Sequence, residues 1–188
     1  MKRMFVLFVL AALIAPLSAW ANDPKSRTEG FVDAMKASKE KDEASYKRID
    51  DFIDYQTITA ETVAPHSKKF SSEQMSAFQR DLTALIRIVA YPQSGKFYKE
   101  AKYKYREAQM KGKVAVVIQD TYLPSEDLEM EIGYQLAQID GKWRITDITF
   151  DGDSMVKDYQ NQFGRIIAKD GVNGLNKRIQ DKFKELNK

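Results

Sequence analysis

The chain has 188 residues, 43% hydrophobic and 30% charged, with 30 Lys and Arg against 27 Asp and Glu. That length suits one domain, and the lack of any cysteine excludes disulfides, thiolate catalysis, Cys-ligated zinc and lipoprotein acylation. With Lys2 and Arg3 set aside the charge is close to neutral, and no dense basic stripe interleaved with aromatics points to nucleic acid.

The first residues read as an export signal. Lys2 and Arg3 precede the apolar run "MFVLFVLAALIAPL", and "SAWA" offers Ala19 and Ala21 as a cleavage site. The run is about 14 residues, short of the roughly 20 that a membrane span needs. The expected organisation is therefore a signal peptide over 1–21, cleaved after Ala21, and one mature domain over 22–188.

From Pro24 to about Ile53 the apolar residues Phe31, Met35, Tyr46, Ile49, Phe52 and Ile53 are sparse but helically spaced. The pattern breaks at Pro65, between Thr57 and Phe70. Ser71 or Ser72 then caps a helix whose Met75, Phe78, Leu82, Leu85, Ile86 and Val89 form one apolar stripe. "YPQSG" is expected to end it at Pro92 and Gly95.

The period changes to two from Phe97, with Phe97, Ala101, Tyr103 and Tyr105 on one side. Lys111-Gly112 turns the chain, Val114 to Ile118 reads as a central strand, and Leu128 to Leu136 alternates cleanly. Asp140-Gly141 is a hairpin signal, and Trp143 to Phe150 is a fourth strand. Two helices close the chain. Val156, Tyr159, Phe163, Ile166 and Ile167 mark the first, and Val172, Leu175, Ile179 and Phe183 the second, with Gly171 between them as a left-handed C-cap. The expected fold is α+β: N-terminal helices, a four-stranded antiparallel sheet and two C-terminal helices covering one face of it.

The polar candidates for chemistry are few. Asp147, Asp151 and Asp153 miss the ligand spacing of a calcium loop. Asp151-Gly152 reads as a turn, with Asp153 or Ser154 capping the next helix. Ser154 lacks the Gly-x-Ser-x-Gly setting of a hydrolase nucleophile. His66, the single histidine, cannot build a zinc site alone. No catalytic residue, metal or cofactor is assigned. The inward aromatic and apolar residues leave two readings open, a filled core or an apolar cavity.

The segment "GKWRITDITFDGDSMVKDYQNQFGRIIAKDGVNGLNKRI" resembles the C-terminal signature of the MlaC, or toluene-tolerance, family. The positions that carry the likeness are Trp143, Asp147, Gly152, Ser154, Met155, Val156, Tyr159, Gln162, Phe163, Gly171, Gly174 and Leu175. "SSEQMSAFQRDLTALI" is similar, more weakly, to the family's long helix. Gln160 stands where the family has Arg, and Asp153 where an apolar residue is usual.

The resemblance implies a cone similar to the nuclear-transport-factor-like (NTF2-like) fold, with acyl chains held between sheet and helices. It implies a periplasmic phospholipid carrier, not an enzyme, in the Mla pathway that maintains outer-membrane lipid asymmetry. Its partners would be an inner-membrane ABC transporter complex and an outer-membrane lipoprotein complex. Bound phospholipid would be cargo, not cofactor. A carrier of another lipid such as a hopanoid is the alternative, and an NTF2-like enzyme or adaptor the alternative class. The expected wall is Phe78, Leu82, Leu85, Ile86 and Val89 from the long helix; Val116, Ile118, Ile132, Tyr134 and Trp143 from the sheet; and Tyr159, Phe163 and Ile167 from the roof. Tyrosines suit the mouth, where a ring is apolar and its hydroxyl wet.

Overall fold

The computed structural model describes residues 23–39 and 42–186. The signal peptide and its cleavage site lie outside the described residues. Helix α1 (Pro24–Ala37) starts at Asp23, whose side chain accepts from Ser26 N, with Pro24 at the first helical position. Helix α2 (Glu43–Asp50) and helix α3 (Tyr55–Thr62) are capped in the same way by Asp42 and Asp54. Helix α3 and the 3-10 helix Ala64–Lys69 occupy the stretch where the sequence pattern breaks.

Helix α4 (Ser72–Glu100) opens with the expected cap. Ser71 Oγ accepts from Gln74 N, and Gln74 Oε1 accepts from Ser71 N. The expected stop at "YPQSG" is corrected: the helix runs through Pro92 and Gly95 to Glu100. Leu82 is buried on one side and Tyr91 on the other, nine residues or about two and a half turns later. The apolar stripe thus ends because the helix changes the face it buries. Gly95 is a point of close approach instead of a turn. A Cβ there would lie 3.0 Å from the Met35 carbonyl oxygen and from Ser38 Oγ, so α1 packs directly on its backbone.

The sheet has six strands where the sequence suggests four: β1 (Lys102–Tyr105), β2 (Gln109–Lys111), β3 (Val114–Leu123), β4 (Leu128–Ile139), β5 (Lys142–Phe150) and β6 (Asp153–Ser154). All neighbours are antiparallel in the order β1-β3-β4-β5-β6, with β2 also on β3. The period-two run from Phe97 splits because its first residues complete α4. The two extra strands are three and two residues long, too short to leave a periodic signal. Asp140 and Gly141 both have positive φ, as do Asp151 and Gly152, so both Asp-Gly pairs make the tight turns that their composition favours.

The β4–β5 register shifts by one residue at Gln135/Leu136, leaving Thr146 as an extra residue. Because of it, Trp143 and Ile145 face the same side as Ile148, the side covered by helices. Helix α5 (Met155–Leu186) is interrupted at Gly171, where φ is 69° and ψ is −179°. The two expected C-terminal helices are its two segments. Gly171 has the expected positive φ, with an extended ψ instead of a left-handed helical one.

Candidate functional site

The buried apolar residues fall into two separate clusters, although a domain of this size ordinarily builds one contiguous core. One lies on the sheet beneath α1, α2 and the second half of α4, and includes Phe31, Ile49, Tyr91, Ile132, Tyr134, Leu136, Trp143 and Ile145. The other joins the first half of α4 to α5, with Val63, Phe78, Leu82, Phe163, Ile167, Val172, Leu175 and Ile179.

Residues 83–90 of α4 lie between these regions, and all eight retain partial exposure. Eight residues cover more than two turns, so no face of the helix is fully closed there. Leu85 continues the stripe of the buried Phe78 and Leu82 and packs against the α4–α5 cluster while keeping partial exposure, whereas Val89, one turn on, belongs to neither cluster. Helix α5 packs against this half of α4. Phe163 stands edge-on to Phe78 at 5.7 Å and tilted against Tyr159 at 5.4 Å.

The expected wall residues are not all brought together. Phe78, Leu82, Leu85, Ile86, Tyr159, Phe163 and Ile167 belong to the α4–α5 cluster or pack against it, and Ile132, Tyr134 and Trp143 belong to the sheet cluster. Val116 and Ile118 are placed on the other face of the sheet. Val117 is the cross-strand partner of Tyr134, whereas Val116 faces Gln135 and Ile118 faces Gly133. A strand that is apolar on both faces hides which parity points inward, and that cost these two positions.

The sheet floor also holds polar groups that the sequence did not reveal. Tyr134 is wholly buried, away from any mouth. Its hydroxyl is 2.6 Å from the Tyr98 hydroxyl and donates to Gln119 Oε1 at 3.0 Å. Burial pushes the Tyr98 phenol up to about 12 and the Tyr134 phenol well above its ordinary value. A second polar knot ties three helices together. Asp50 of α2 accepts from Tyr91 at 2.6 Å and from Arg87 Nε at 3.1 Å, and the Tyr91 hydroxyl also bonds that of Tyr55 on α3. The hydroxyls and the carboxylate of these two groups are bonded within the fold, whereas Gln119 Nε2 is buried without a partner.

The acidic turn after β5 is a helix support. Asp147 Oδ1 accepts from Ile148 N at 2.8 Å and from Val156 N at 3.1 Å, and Ser154 Oγ donates to Asp147 Oδ2 at 2.5 Å. Ser154 in turn accepts from Lys157 N at 3.1 Å as the N-cap of α5. Asp151 Oδ1 accepts from Glu131 N at 2.8 Å, which fastens the turn to β4. These bonds engage Asp147, Asp151 and Ser154 as structural supports of the turn, while Asp153 is exposed. His66 lies in the 3-10 helix against α5, where a Cβ on Gly164 would come within 3.1 Å of its Nε2. Gln160 reaches α3, donating to the Glu61 carbonyl at 2.8 Å.

Comparison with known proteins places this architecture. A phospholipid-binding protein from Ralstonia solanacearum, solved in complex with a phospholipid, has the same fold, with a TM-score of 0.71. The two are 19% identical, and the match covers 88% of this chain and 99% of that one. No curated relative matches the sequence. The profile described as MlaC protein matches residues 25–181, from α1 to the last turns of α5, and so the chain belongs to the MlaC protein family.

Proposed function

We propose that this protein is a periplasmic phospholipid carrier that moves lipid between the inner and outer membranes. The observation that carries the reading is the divided apolar interior, with the partly exposed Leu85 and Val89 of α4 between its halves. Acyl chains fit that seam, with α4 and α5 as walls and Ile132 and Trp143 on the sheet below. Family membership supports the reading, and so does the phospholipid held by the Ralstonia protein.

Physical chemistry makes such a carrier useful. A diacyl phospholipid has about 30 methylenes, each worth roughly 0.8 kcal/mol on leaving water. Extracting it unaided costs on the order of 20 kcal/mol, whereas exchange between a bilayer and a dry apolar seam is close to balanced. No covalent step is required, so we read the protein as a carrier and not an enzyme. Direction then comes from partners, for which we propose an inner-membrane ABC transporter complex and an outer-membrane lipoprotein complex.

Native mass spectrometry of protein purified from cells tests this. The wild type is expected to carry a phospholipid mass, and Leu85→Gln to lose it while keeping its circular dichroism spectrum. Leu85 is the better position because Phe163 also supports Phe78, so its replacement would confound folding with binding. A wild type purified without lipid, or a Leu85→Gln variant as loaded as the wild type, overturns the seam.

A further inference from the structure

Charge is unevenly distributed along this chain. Residues 22–154 carry 20 basic and 23 acidic side chains, whereas α5 carries seven basic against four acidic. The excess is concentrated around the kink at Gly171. Gln162, Arg165, Ile166 and Lys169 from the first segment and Arg178 from the second line a groove of about 340 Å³. Arg165 and Lys169 are one turn apart on one face, a spacing at which like charges repel. Arg178 is held by Asp170 at 2.5 Å, and among the described residues neither Arg165 nor Lys169 meets an acid. Ile166, half-buried against the α4–α5 cluster, lies between the cations.

We propose that this strip of α5 is a docking surface for an anionic lipid bilayer, with lipid phosphates seated among Arg165, Lys169 and Arg178. Three observations converge on that partner. Exposed cations beside an apolar isoleucine match the layering of headgroup over acyl chain. A basic α5 on a chain whose residues 22–154 are weakly acidic favours an orientation with α5 toward a negative surface. The strip adjoins the apolar stripe of the partly buried Tyr159 and the buried Phe163 and Ile167 on the same helix, so docking there brings the wall of the seam to the membrane. That last use rests on the carrier reading; the binding itself does not.

Vesicle flotation tests it, with phosphatidylcholine vesicles against vesicles containing about one third phosphatidylglycerol at low salt. The full protein is expected to float only with the anionic vesicles and to be released as salt is raised. Each cation near such a surface adds roughly fivefold to binding, so Arg165→Glu/Lys169→Glu should reduce partition at least about twentyfold. The double variant should keep its melting temperature and its lipid mass in native spectrometry. Lys96→Glu/Lys99→Glu, which makes the same charge change on exposed residues of α4, should float nearly as well as the wild type. Equal losses in the two variants mean that net charge alone acts, and overturn the surface. So does a wild type indifferent to anionic vesicles, and so does specific competition by inorganic phosphate at matched ionic strength, which would mark an isolated anion site. A wild type without bound lipid that still floats in this residue-specific way would overturn the carrier reading and leave the docking surface standing.

Discussion

Asp147 receives three hydrogen bonds from three different groups: the Ile148 and Val156 amides and the Ser154 hydroxyl. It joins the last long strand to the first turn of α5, and its charge stabilises the exposed N–H groups of that turn. Asp147→Ala leaves two amides without their acceptor, so about 2–3 kcal/mol of stability should be lost. Ser154→Ala removes only the cap and its bond to Asp147, at about 1 kcal/mol. Urea denaturation midpoints check both, and a Ser154 variant costing more than the Asp147 one would reverse the assigned order. The residue types of this turn are readable in the sequence. The target of Asp147 is not, because Val156 lies nine residues further on and comes within reach only after the Asp151-Gly152 turn folds back.

At the scale of elements, two glycines control how helices meet. Gly95 lets α1 approach the backbone of α4, and the atoms in the way of a Cβ are a carbonyl oxygen and a buried serine hydroxyl. Backbone cannot step aside, so Gly95→Ala should destabilise by about 1–3 kcal/mol despite its better helix propensity. Gly171 poses the opposite problem. A Cβ there meets nothing within 4 Å, but the φ of 69° with extended ψ belongs to glycine. Gly171→Ala is expected to cost about 1–3 kcal/mol as strain, or to straighten α5 into one continuous helix. Chemical denaturation measures the cost, and amide exchange across 168–174 distinguishes strain from straightening. In sequence both residues are breaks in a helical pattern. Only Gly171 breaks the geometry, because Gly95 sits where α4 buries its other face.

At the scale of the whole molecule, the interior is divided, and its sheet half is rich in protonated phenols. Burial raises Tyr98 to about 12 and pushes Tyr55, Tyr91, Tyr105 and Tyr134 further above their ordinary value. Below pH about 10 the phenols are neutral in folded and unfolded chains alike. Above it the unfolded chain loses protons that the folded one keeps, so stability falls as pH rises from about 10 towards 12. Absorbance at 295 nm should show these five tyrosines ionising together with the loss of near-ultraviolet dichroism. Their ionisation at pH about 10 in a protein that keeps its fold would refute the burial assigned to them. A second prediction belongs to the proposed lipid cargo. Stripping lipid with detergent should lower the melting temperature, since a ligand that binds only the folded state stabilises it in proportion to its affinity. Reloading with phospholipid should restore it.

The sequence alone determined the α+β order, both Asp-Gly turns, the Ser71 cap, the Gly171 break and most apolar positions. Each is written in short-range chemistry: turn residues, capping side chains and apolar periods of two or 3.6. The family resemblance rested on a dense local run of about 35 residues around the β5–α5 junction, which the structure shows to be a hydrogen-bonded joint. What only the tertiary structure decided was orientation. Nothing within Val114–Ile118 says which alternate residues face the helices, and nothing near Pro92 says that α4 continues with its other side buried. Both answers depend on partners distant in sequence, Tyr134 for the strand and Met35 for the helix. The interior divides for the same reason: its two halves are assembled by contacts between elements, and no local pattern records where one ends and the other begins.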